Sequence, residues 1–254
     1  SMFRYLLLCA LTFMSANLFG QATMYEANFE PPFVDWSITG DVSTNTWIKN
    51  TCAGNGTSAI GSYAMYITKG GTVPGCGATG QEQFAYDNSP SGVKQTIAYT
   101  SIDGTCAQNL QAHFDYRIQG VASEDFAQLV YSTNGGSTWI TIGSAFAASA
   151  TWTNSTVSLP LSLNYSTFLL GVRFTYNAST VNGTPIAIDN FSVTGTDNIN
   201  PVLTCPPTQT LPVSAACLAI ADDYTKNLVS LSDNCTDSVD ITVTQNILEG
   251  ATIP

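Results

Sequence analysis

The chain has 254 residues and a formal net charge of −11, with 18 acidic side chains and only 7 lysines and arginines. Because phosphate and anionic lipid bind to clustered cations, this charge argues against a nucleic-acid partner and against docking on a lipid surface. Hydrophobic residues make up 44% of the sequence, which is ample for a sizeable core, whereas charged residues make up 10%. Hydroxyl and amide side chains must therefore supply most of the polar surface.

The first residues have the layout of a secretory signal peptide. Arg4 precedes an apolar run, Tyr5–Phe13, and small and polar residues follow it. This run is too short to span a bilayer, which requires about 20 apolar residues. We therefore predict that residues 1–22 are a signal peptide. We also expect the mature chain to be secreted, extracellular or on the cell surface, with no membrane insertion.

From Met24 to Thr196 the sequence consists of short apolar segments separated by turn residues. In one of them, Leu110–Ile118, the apolar residues alternate, which is the period-two pattern of a strand with one buried face. Asn134–Gly136 is a hairpin signal, because Asn and Gly accept positive φ. The predicted strands are residues 64–68, 110–118, 126–132, 139–142, 156–159, 167–176 and 185–193. This pattern predicts an all-β, two-sheet antiparallel jelly-roll sandwich over residues 23–196.

The last part of the chain differs in character. Residues 197–201 are polar and end in a proline, as a linker does, and residues 202–254 form a second predicted domain. Its predicted strands are residues 202–204, 208–213, 219–221 and 239–243. Because an immunoglobulin-like sandwich needs about 100 residues, we expect this second domain to be truncated.

Six cysteines remain after the predicted signal peptide. In an oxidising compartment they are expected to form disulfides, and a Cys52–Cys76 bond would pin the Gly- and Ser-rich loop between them. Cys106 would then either be a buried thiol or replace one of these two as a partner. No CxxC pair is present and His113 is the only histidine, so a zinc site of the usual kinds is nearly excluded. The six cysteines are Cys52, Cys76, Cys106, Cys205, Cys217 and Cys235.

Several motifs of the first domain occur together in one known family. The matching stretches are Asn28–Glu30, Trp36, Thr46–Trp47, Leu110–Tyr116, Ala127–Trp139 and Ile186–Val193. In order and spacing they resemble the MAM-like family of concanavalin-like jelly rolls, which is found in exported bacterial proteins. The resemblance implies a two-sheet sandwich that serves adhesion or ligand binding beside other modules.

The tail has a resemblance of its own. Pro201–Pro206, Cys217 and Ser232–Cys235 resemble the hyalin repeat, an immunoglobulin-like adhesion module of surface proteins such as those of Bacteroidota. This resemblance implies a disulfide between Cys217 and Cys235. It also implies that Cys205 lacks its partner in this chain.

Two acidic residues are candidate metal ligands. Glu30 ends the first predicted strand and Asp189 lies in the last one, and jelly rolls often place these strands side by side. Two close carboxylates with backbone carbonyls can hold calcium, which takes six to eight oxygen ligands. The resemblance implies such a structural calcium, with Asp41 as a candidate third ligand. The alternatives are a hydrogen-bonding role at a strand end, or a glycosidase-type acid pair, which nothing else in the sequence supports.

Other candidate residues are aromatic. Aromatic faces stack on pyranose rings, which makes each tryptophan a candidate sugar contact, although we expect at least two of the four to be buried. Tyr63, Tyr66 and Tyr86 are less constrained candidates. His113 alternates with the apolar residues of its strand, so we expect a surface role without catalysis. The four tryptophans are Trp36, Trp47, Trp139 and Trp152.

No GxSxG motif or triad of catalytic residues accompanies these candidates. We therefore predict a non-catalytic extracellular module that binds a glycan or a protein. The alternative is the accessory N-terminal region of a secreted hydrolase, a protease or glycosidase, whose catalytic domain lies outside this chain.

Overall fold

A computed structural model describes residues 20–33, 36–41, 45–51, 59–68, 92–118, 125–177, 186–205, 211–212, 214 and 218–253. In these ranges the regular secondary structure is β-strand, apart from short 3₁₀ helices at Leu161–Leu163, Tyr224–Asn227 and Ser238–Asp240. The predicted all-β class with antiparallel sheets is confirmed. None of the helices in these ranges has the length and apolar character needed to cross a membrane. The chain divides into two compact units, residues 21–196 and a unit that includes residues 197–254.

In the described part of the first unit, eleven strands form two sheets. The front sheet has the order β2-β5-β10-β7-β8, and its ladders are antiparallel. The back sheet has the order β3-β4-β11-β6-β9, with β1 paired to β11. The strands are β1 Gly20–Ala27, β2 Ser37–Gly40, β3 Thr46–Asn50, β4 Ala64–Thr68, β5 Val93–Asp103, β6 Gln108–Ile118, β7 Phe126–Ser132, β8 Ile140–Ile142, β9 Ser149–Ser158, β10 Thr167–Asn177 and β11 Ala187–Asp197.

The core lies between the two sheets and follows the period-two pattern of β6 and β10. A Cβ added at Gly104 would lie 3.1 Å from Leu110 on β6 and 3.5 Å from Phe168 on β10, so side chains of the two sheets meet there. Alternate residues of each strand are buried, as predicted for β6. The buried alternating residues are Leu110, Phe114, Tyr116 and Ile118 on β6, and Leu170, Val172, Phe174 and Tyr176 on β10.

Aromatic rings extend the core toward the start of the chain. Phe191 stacks on Phe114 with ring centroids 5.7 Å apart and meets the edge of Trp36 at 5.0 Å. The Trp36 Nε1–H donates a hydrogen bond of 2.7 Å to Tyr25 Oη, which satisfies the only polar group of the buried indole. These contacts tie β1 and the segment before β2 to the interior of the sandwich.

The described part of the second unit contains short antiparallel strands. β12 (Val202–Thr204) pairs with β14 (Ser230–Ser232), and β13 (Ala219–Ile220) pairs with β15 (Thr252–Ile253). The prediction of a strand at residues 239–243 is wrong, because a 3₁₀ helix starts at Ser238. Asp237 caps that helix by accepting a 3.3 Å hydrogen bond from Val239 N. Most of the strand predicted at residues 208–213 lies outside the described residues.

The cysteines are partly described. Cys106 and Cys235 are disulfide-bonded, and Cys205 is a free thiol. A bonded Cys106 excludes the buried thiol, one of the two alternatives that the sequence left open. Of the six cysteines that follow the predicted signal peptide, Cys52, Cys76 and Cys217 lie outside the described residues. The pairings Cys52–Cys76 and Cys217–Cys235 stay predictions.

Gly171, at the centre of β10, has no room for a side chain. A Cβ there would lie 2.6 Å from the carbonyl oxygen of Ala98 and 2.8 Å from Cβ of Tyr99. Since β5 would have to move, we expect Gly171→Ala to lower the free energy of unfolding by about 2 kcal/mol. Ser101→Ala, at an exposed position of β5, is the control and should change it by less than about 0.5 kcal/mol. Equal denaturation midpoints for the two variants in urea would contradict this account.

Candidate functional site

The structure brings Glu30 and Asp189 to one short segment of backbone. Because β1 pairs with β11, the first and last strands are neighbours, as predicted. Glu30 Oε1 accepts hydrogen bonds from the backbone N–H of Ser62 (2.6 Å) and Tyr63 (3.0 Å). Asp189 Oδ2 accepts one from Ile60 N (3.0 Å). The two carboxylates thus hold residues 60–63 in place, which is the hydrogen-bonding role considered as an alternative to calcium.

Asp189 is fully buried, and its pKa reflects that environment. The pKa of this carboxyl is raised from 3.8 to about 7, mainly by burial and in part by the negative charges of Glu30 and Asp115, against the lowering effect of hydrogen bonds from Asn190 N and Ile60 N. Asp115 accepts from the side-chain amides of Asn190 (2.9 Å) and Asn154 (3.2 Å). The carboxylates of Glu30 and Asp115 therefore lie close enough to Asp189 to disfavour its negative charge.

Gly61 sits directly against this pair. Its φ of +75° lies in the left-handed region, and an added Cβ would lie 2.7 Å from Glu30 Oε1. Only glycine combines this backbone conformation with an oxygen so close. The segment that Glu30 and Asp189 hold is therefore shaped to admit the carboxylate of Glu30.

Asp41 is not part of this group. Its Oδ2 accepts from Gln95 N (3.0 Å), and its own N–H donates to Gln95 O (2.7 Å), which places it at the edge of β5 in the front sheet. Glu30 and Asp189 lie at the back sheet, so the structure does not bring Asp41 to them as a third ligand. Within the described ranges, no three His, Cys, Asp or Glu side chains are arranged to hold a metal.

His113 links three strands of the back sheet. Its Nδ1 lies 3.0 Å from Thr156 Oγ1 on β9, and its Nε2 lies 3.0 Å from Thr194 Oγ1 on β11. Both ring nitrogens are thus occupied by threonine hydroxyls. This arrangement fits the structural surface role that the sequence predicts.

The tryptophans divide into buried and half-buried residues. Trp36 and Trp47 are 9% and 3% exposed, which confirms that at least two are buried. Trp152 is half-buried and packs against the cluster around Tyr66 on the back sheet. Tyr66 is fully buried, which raises its pKa to about 12. Trp36, Trp47 and Tyr66 are therefore not available to a ligand.

Tyr63 and Tyr86 complete the tyrosine candidates. Tyr63 is half-buried and meets the edge of Phe33 at 5.2 Å between ring centroids. Tyr86 lies outside the described residues.

The outward face of the front sheet carries the remaining tryptophan. Since paired residues of adjacent strands share a face, Tyr99, Gly171, Val130 and Thr141 form one row across β5, β10, β7 and β8. The next residue of β10, Val172, belongs to the alternate set that faces the core, so this row lies on the other side of the sheet, where Val130 is fully buried, Tyr99 half-buried and Thr141 exposed. Trp139 precedes Thr141 by two residues and therefore emerges on the same face.

Trp139 and Tyr99 form an aromatic pair on this outward face. Their ring centroids are 5.0 Å apart at an interplanar angle of 57°, and both side chains are half-buried. A Cβ at Gly136 would lie 3.5 Å from Trp139 Cζ2 and 3.6 Å from Leu169 Cδ1. The indole thus rests where the β7–β8 hairpin meets β10.

The β7–β8 hairpin that carries Trp139 is fixed by internal hydrogen bonds. Asn134 Oδ1 accepts from Thr138 N (3.0 Å) and from Ser132 Oγ (2.9 Å), and Ser132 Oγ accepts from Gly136 N (2.9 Å). Gly135 and Gly136 have φ of +68° and +86°, as the hairpin signal requires. The tryptophan is therefore positioned by a short, well-bonded turn.

Polar groups lie beside the aromatic pair. Arg173, on the same face of β10, donates through Nη2 to Gln128 Oε1 (2.8 Å) and to Thr141 Oγ1 (2.6 Å). Partial burial lowers the pKa of this guanidinium. Sequence reasoning missed Tyr99, Arg173, Gln128 and Thr141, because only the strand register brings them together. The outward face therefore combines an aromatic pair with guanidinium, amide and hydroxyl groups.

No family model matches the sequence, and no curated protein matches it. The solved structures that are similar to this chain include TmCBM61 in complex with β-1,4-galactotriose (12% identity, 66% of this chain and 90% of that chain, TM-score 0.39). They also include the CBM22-1 xylan-binding domain of Xyn10C from Paenibacillus barcinonensis (7%, 70% and 96%, TM-score 0.39). A third is the K1 cleaved adhesin domain of Lys-gingipain from Porphyromonas gingivalis W83 (15%, 68% and 97%, TM-score 0.42). At this distance, the ligands of these proteins are not assigned to this chain.

The raised pKa of Asp189 predicts a pH dependence of stability. A carboxyl whose pKa is higher in the folded than in the unfolded protein stabilises the fold most below the unfolded value. That contribution is lost as the pH rises through the folded value, here about 7. In buffer with a chelator, we expect the difference in unfolding free energy between the wild type and Asp189→Asn to decrease from about pH 5 to about pH 8. Parallel curves for the two proteins in urea titrations at several pH values would show that Asp189 titrates normally.

Proposed function

We propose that residues 21–196 form a non-catalytic extracellular module that binds a glycan on the outward face of the front sheet. The observation that carries this proposal is the Trp139–Tyr99 pair, 5.0 Å between centroids, at a half-buried position beside Arg173, Gln128 and Thr141. Aromatic rings stack on the apolar face of a pyranose, and amide, hydroxyl and guanidinium groups bond to its hydroxyls. The combination of both on one face is what sugar recognition requires.

The rigidity of this face supports binding. Tyr99 and Arg173 lie on adjacent central strands, and the hairpin that carries Trp139 is held by Asn134 and Ser132. Side chains that are already positioned lose little conformational entropy when a ligand binds. This saving in entropy matters most for a ligand that makes weak contacts along an extended surface, such as a polysaccharide chain.

The acids of the back sheet are poorly suited to catalysis. Asp189 is fully buried and accepts hydrogen bonds from Ile60 N and Asn190 N, and Glu30 Oε1 accepts two more. A glycosidase-type acid pair must instead face the scissile bond of a bound sugar. This supports a role in which the protein offers a surface and breaks no bond.

The extracellular placement rests on two features. Residues 1–22 have the layout of a signal peptide, and Cys106 and Cys235 are disulfide-bonded, as is usual in an oxidising compartment. The resemblance to MAM-like and hyalin-repeat modules agrees with a surface protein and stays a prediction. Within this proposal, the module attaches a larger secreted or surface protein to a glycan.

We further propose that Glu30 and Asp189 take part in a structural calcium site. Asp189 carries a buried carboxylate, and Glu30 lies close enough to raise its pKa. Glu30 Oε1 is used by Ser62 and Tyr63, while its second oxygen makes no hydrogen bond to the described residues. A divalent cation would offset the repulsion between the two carboxylates, and backbone carbonyls would complete its oxygen ligands. Asp41 has no part in this site.

The glycan proposal predicts that Trp139→Ala and Tyr99→Ala each weaken binding at least about tenfold, because stacking on aromatic rings supplies much of the affinity. The measurement is affinity electrophoresis of the whole chain against a panel of soluble plant, algal and bacterial polysaccharides, followed by calorimetry on those that bind. Trp152→Ala is the matched control, since it removes a half-buried tryptophan from the back sheet.

Each variant is first checked for folding by circular dichroism and thermal melting. Retained affinity in Trp139→Ala and Tyr99→Ala would exclude this face as the binding site. The absence of binding across the whole panel would exclude glycan binding as the function.

The calcium proposal predicts that millimolar calcium raises the melting temperature by about 5 °C relative to a chelator, because a ligand bound only by the folded state stabilises it. Glu30→Gln should remove this gain. Glu26→Gln is the matched control, because Glu26 is an exposed acid of β1. If calcium leaves the melting temperature of the wild type unchanged, the calcium site is excluded and Glu30 and Asp189 have only their hydrogen-bonding role.

A further inference from the structure

The guanidinium of Arg173 lies on the same outward face as the aromatic pair. Arg173 pairs with Gln128 across β10 and β7, whereas Thr141 on β8 belongs to the neighbouring row that contains Gly171 and Tyr99. The 2.6 Å hydrogen bond from Nη2 to Thr141 Oγ1 therefore draws the guanidinium across β7 to the β8 end of that row. Trp139 comes two residues before Thr141, so the guanidinium and this tryptophan are both at the β8 side of the face.

The residues that the structure describes use little of the hydrogen-bonding capacity of Arg173. A guanidinium has five N–H donors, and both hydrogen bonds that Arg173 makes to described residues come from Nη2. Its Nε is buried and has no hydrogen-bond partner among the described residues. Both acceptors, an amide and a hydroxyl, are neutral. Among the described residues the cation thus lacks a negatively charged acceptor, and leaving a buried donor unpaired is costly.

Asp41 and Asp103, two acids of the front sheet, do not supply the missing acceptor. Asp41, at the edge of β5, accepts from Gln95 N (3.0 Å). Asp103, at the end of β5, accepts from Thr105 N (3.1 Å) and Thr105 Oγ1 (2.6 Å). In a chain with 18 acidic residues and 7 basic ones, a central, half-buried arginine without an ion pair to the described acids indicates that its counter-ion comes with the ligand.

We propose that the glycan bound at this face is acidic, and that Arg173 recognises the carboxylate of a uronic acid; this inference rests on the proposed glycan binding. A guanidinium binds a carboxylate through two parallel N–H donors, which gives both strength and orientation. A uronic acid carries an apolar ring face for Trp139 and Tyr99 and a carboxylate at the edge of the same ring. The distant acids of the chain are screened beyond about 8 Å at physiological salt, so the local contact decides the preference.

The test compares each acidic oligosaccharide with its own neutral form. Calorimetry measures the affinity of the whole chain for oligogalacturonate and oligomannuronate, and for the same oligosaccharides after their carboxyl groups have been reduced to alcohols. We expect the acidic forms to bind at least about tenfold more tightly. Rising sodium chloride should weaken binding of the acidic forms and leave binding of the reduced forms nearly unchanged.

Variants assign the preference to Arg173. Arg173→Gln should lower the affinity for the acidic forms to that of the reduced forms, and Arg173→Lys should keep part of the preference, because it keeps the charge but loses the planar pair of donors. Lys94→Gln is the matched control, because it removes one positive charge from β5 at a position paired with the core residue Tyr176. It should retain the full preference for the acidic forms.

Equal affinity of the wild type for acidic and reduced forms would overturn this inference and leave glycan binding intact. The same holds if only neutral polysaccharides of the wider panel bind. If no glycan of either kind binds, the proposed function fails together with the inference. Since the salt dependence and the acidic-to-neutral ratio are measured on the wild type, the inference is tested even if Arg173→Gln does not fold.

Discussion

The packing of β6 against β10 is the constraint on which the rest of the structure depends. Each strand buries one set of alternate residues between the sheets, so the other set must lie on an outward face. The antiparallel register then decides which outward residues become neighbours across β5, β10, β7 and β8. The row of Tyr99, Gly171, Val130 and Thr141 is a consequence of core packing and not of any local sequence motif.

Strands with an apolar core side could be predicted from the sequence, whereas β5 could not. Residues 64–68, 126–132 and 167–176 agree closely with β4, β7 and β10. In β5 the core-facing residues include Thr96, Ala98 and Thr100, which are small or polar, while Ile97 and Tyr99 are on the other side. The alternation of β5 is thus inverted, and a pattern based on hydrophobicity does not find it.

The candidate sites show the same division. The proximity of Glu30 and Asp189 could be predicted from the sequence, because it requires only that the first and last strands are neighbours. The exact register between these strands does not have to be known. Asp41 could not be assigned, because its position depends on the bond to Gln95 at the edge of β5, the strand that the sequence did not predict. The partnership of Trp139 with Tyr99 and Arg173 spans three ladders of the front sheet. Each ladder must be in register before the three side chains meet.

Gly171 joins the demands of the fold to those of the outward face. Its missing side chain lets β5 approach β10, with Ala98 O and Tyr99 Cβ within 2.8 Å of where a Cβ would lie. Gly171 also lies between β5, which carries Tyr99, and β7, which carries Gln128. A larger residue here would push β5 away from β10, which carries Arg173. Stability and the arrangement of the aromatic and charged groups are therefore set by one position, because it fixes the distance between the strands that carry these groups.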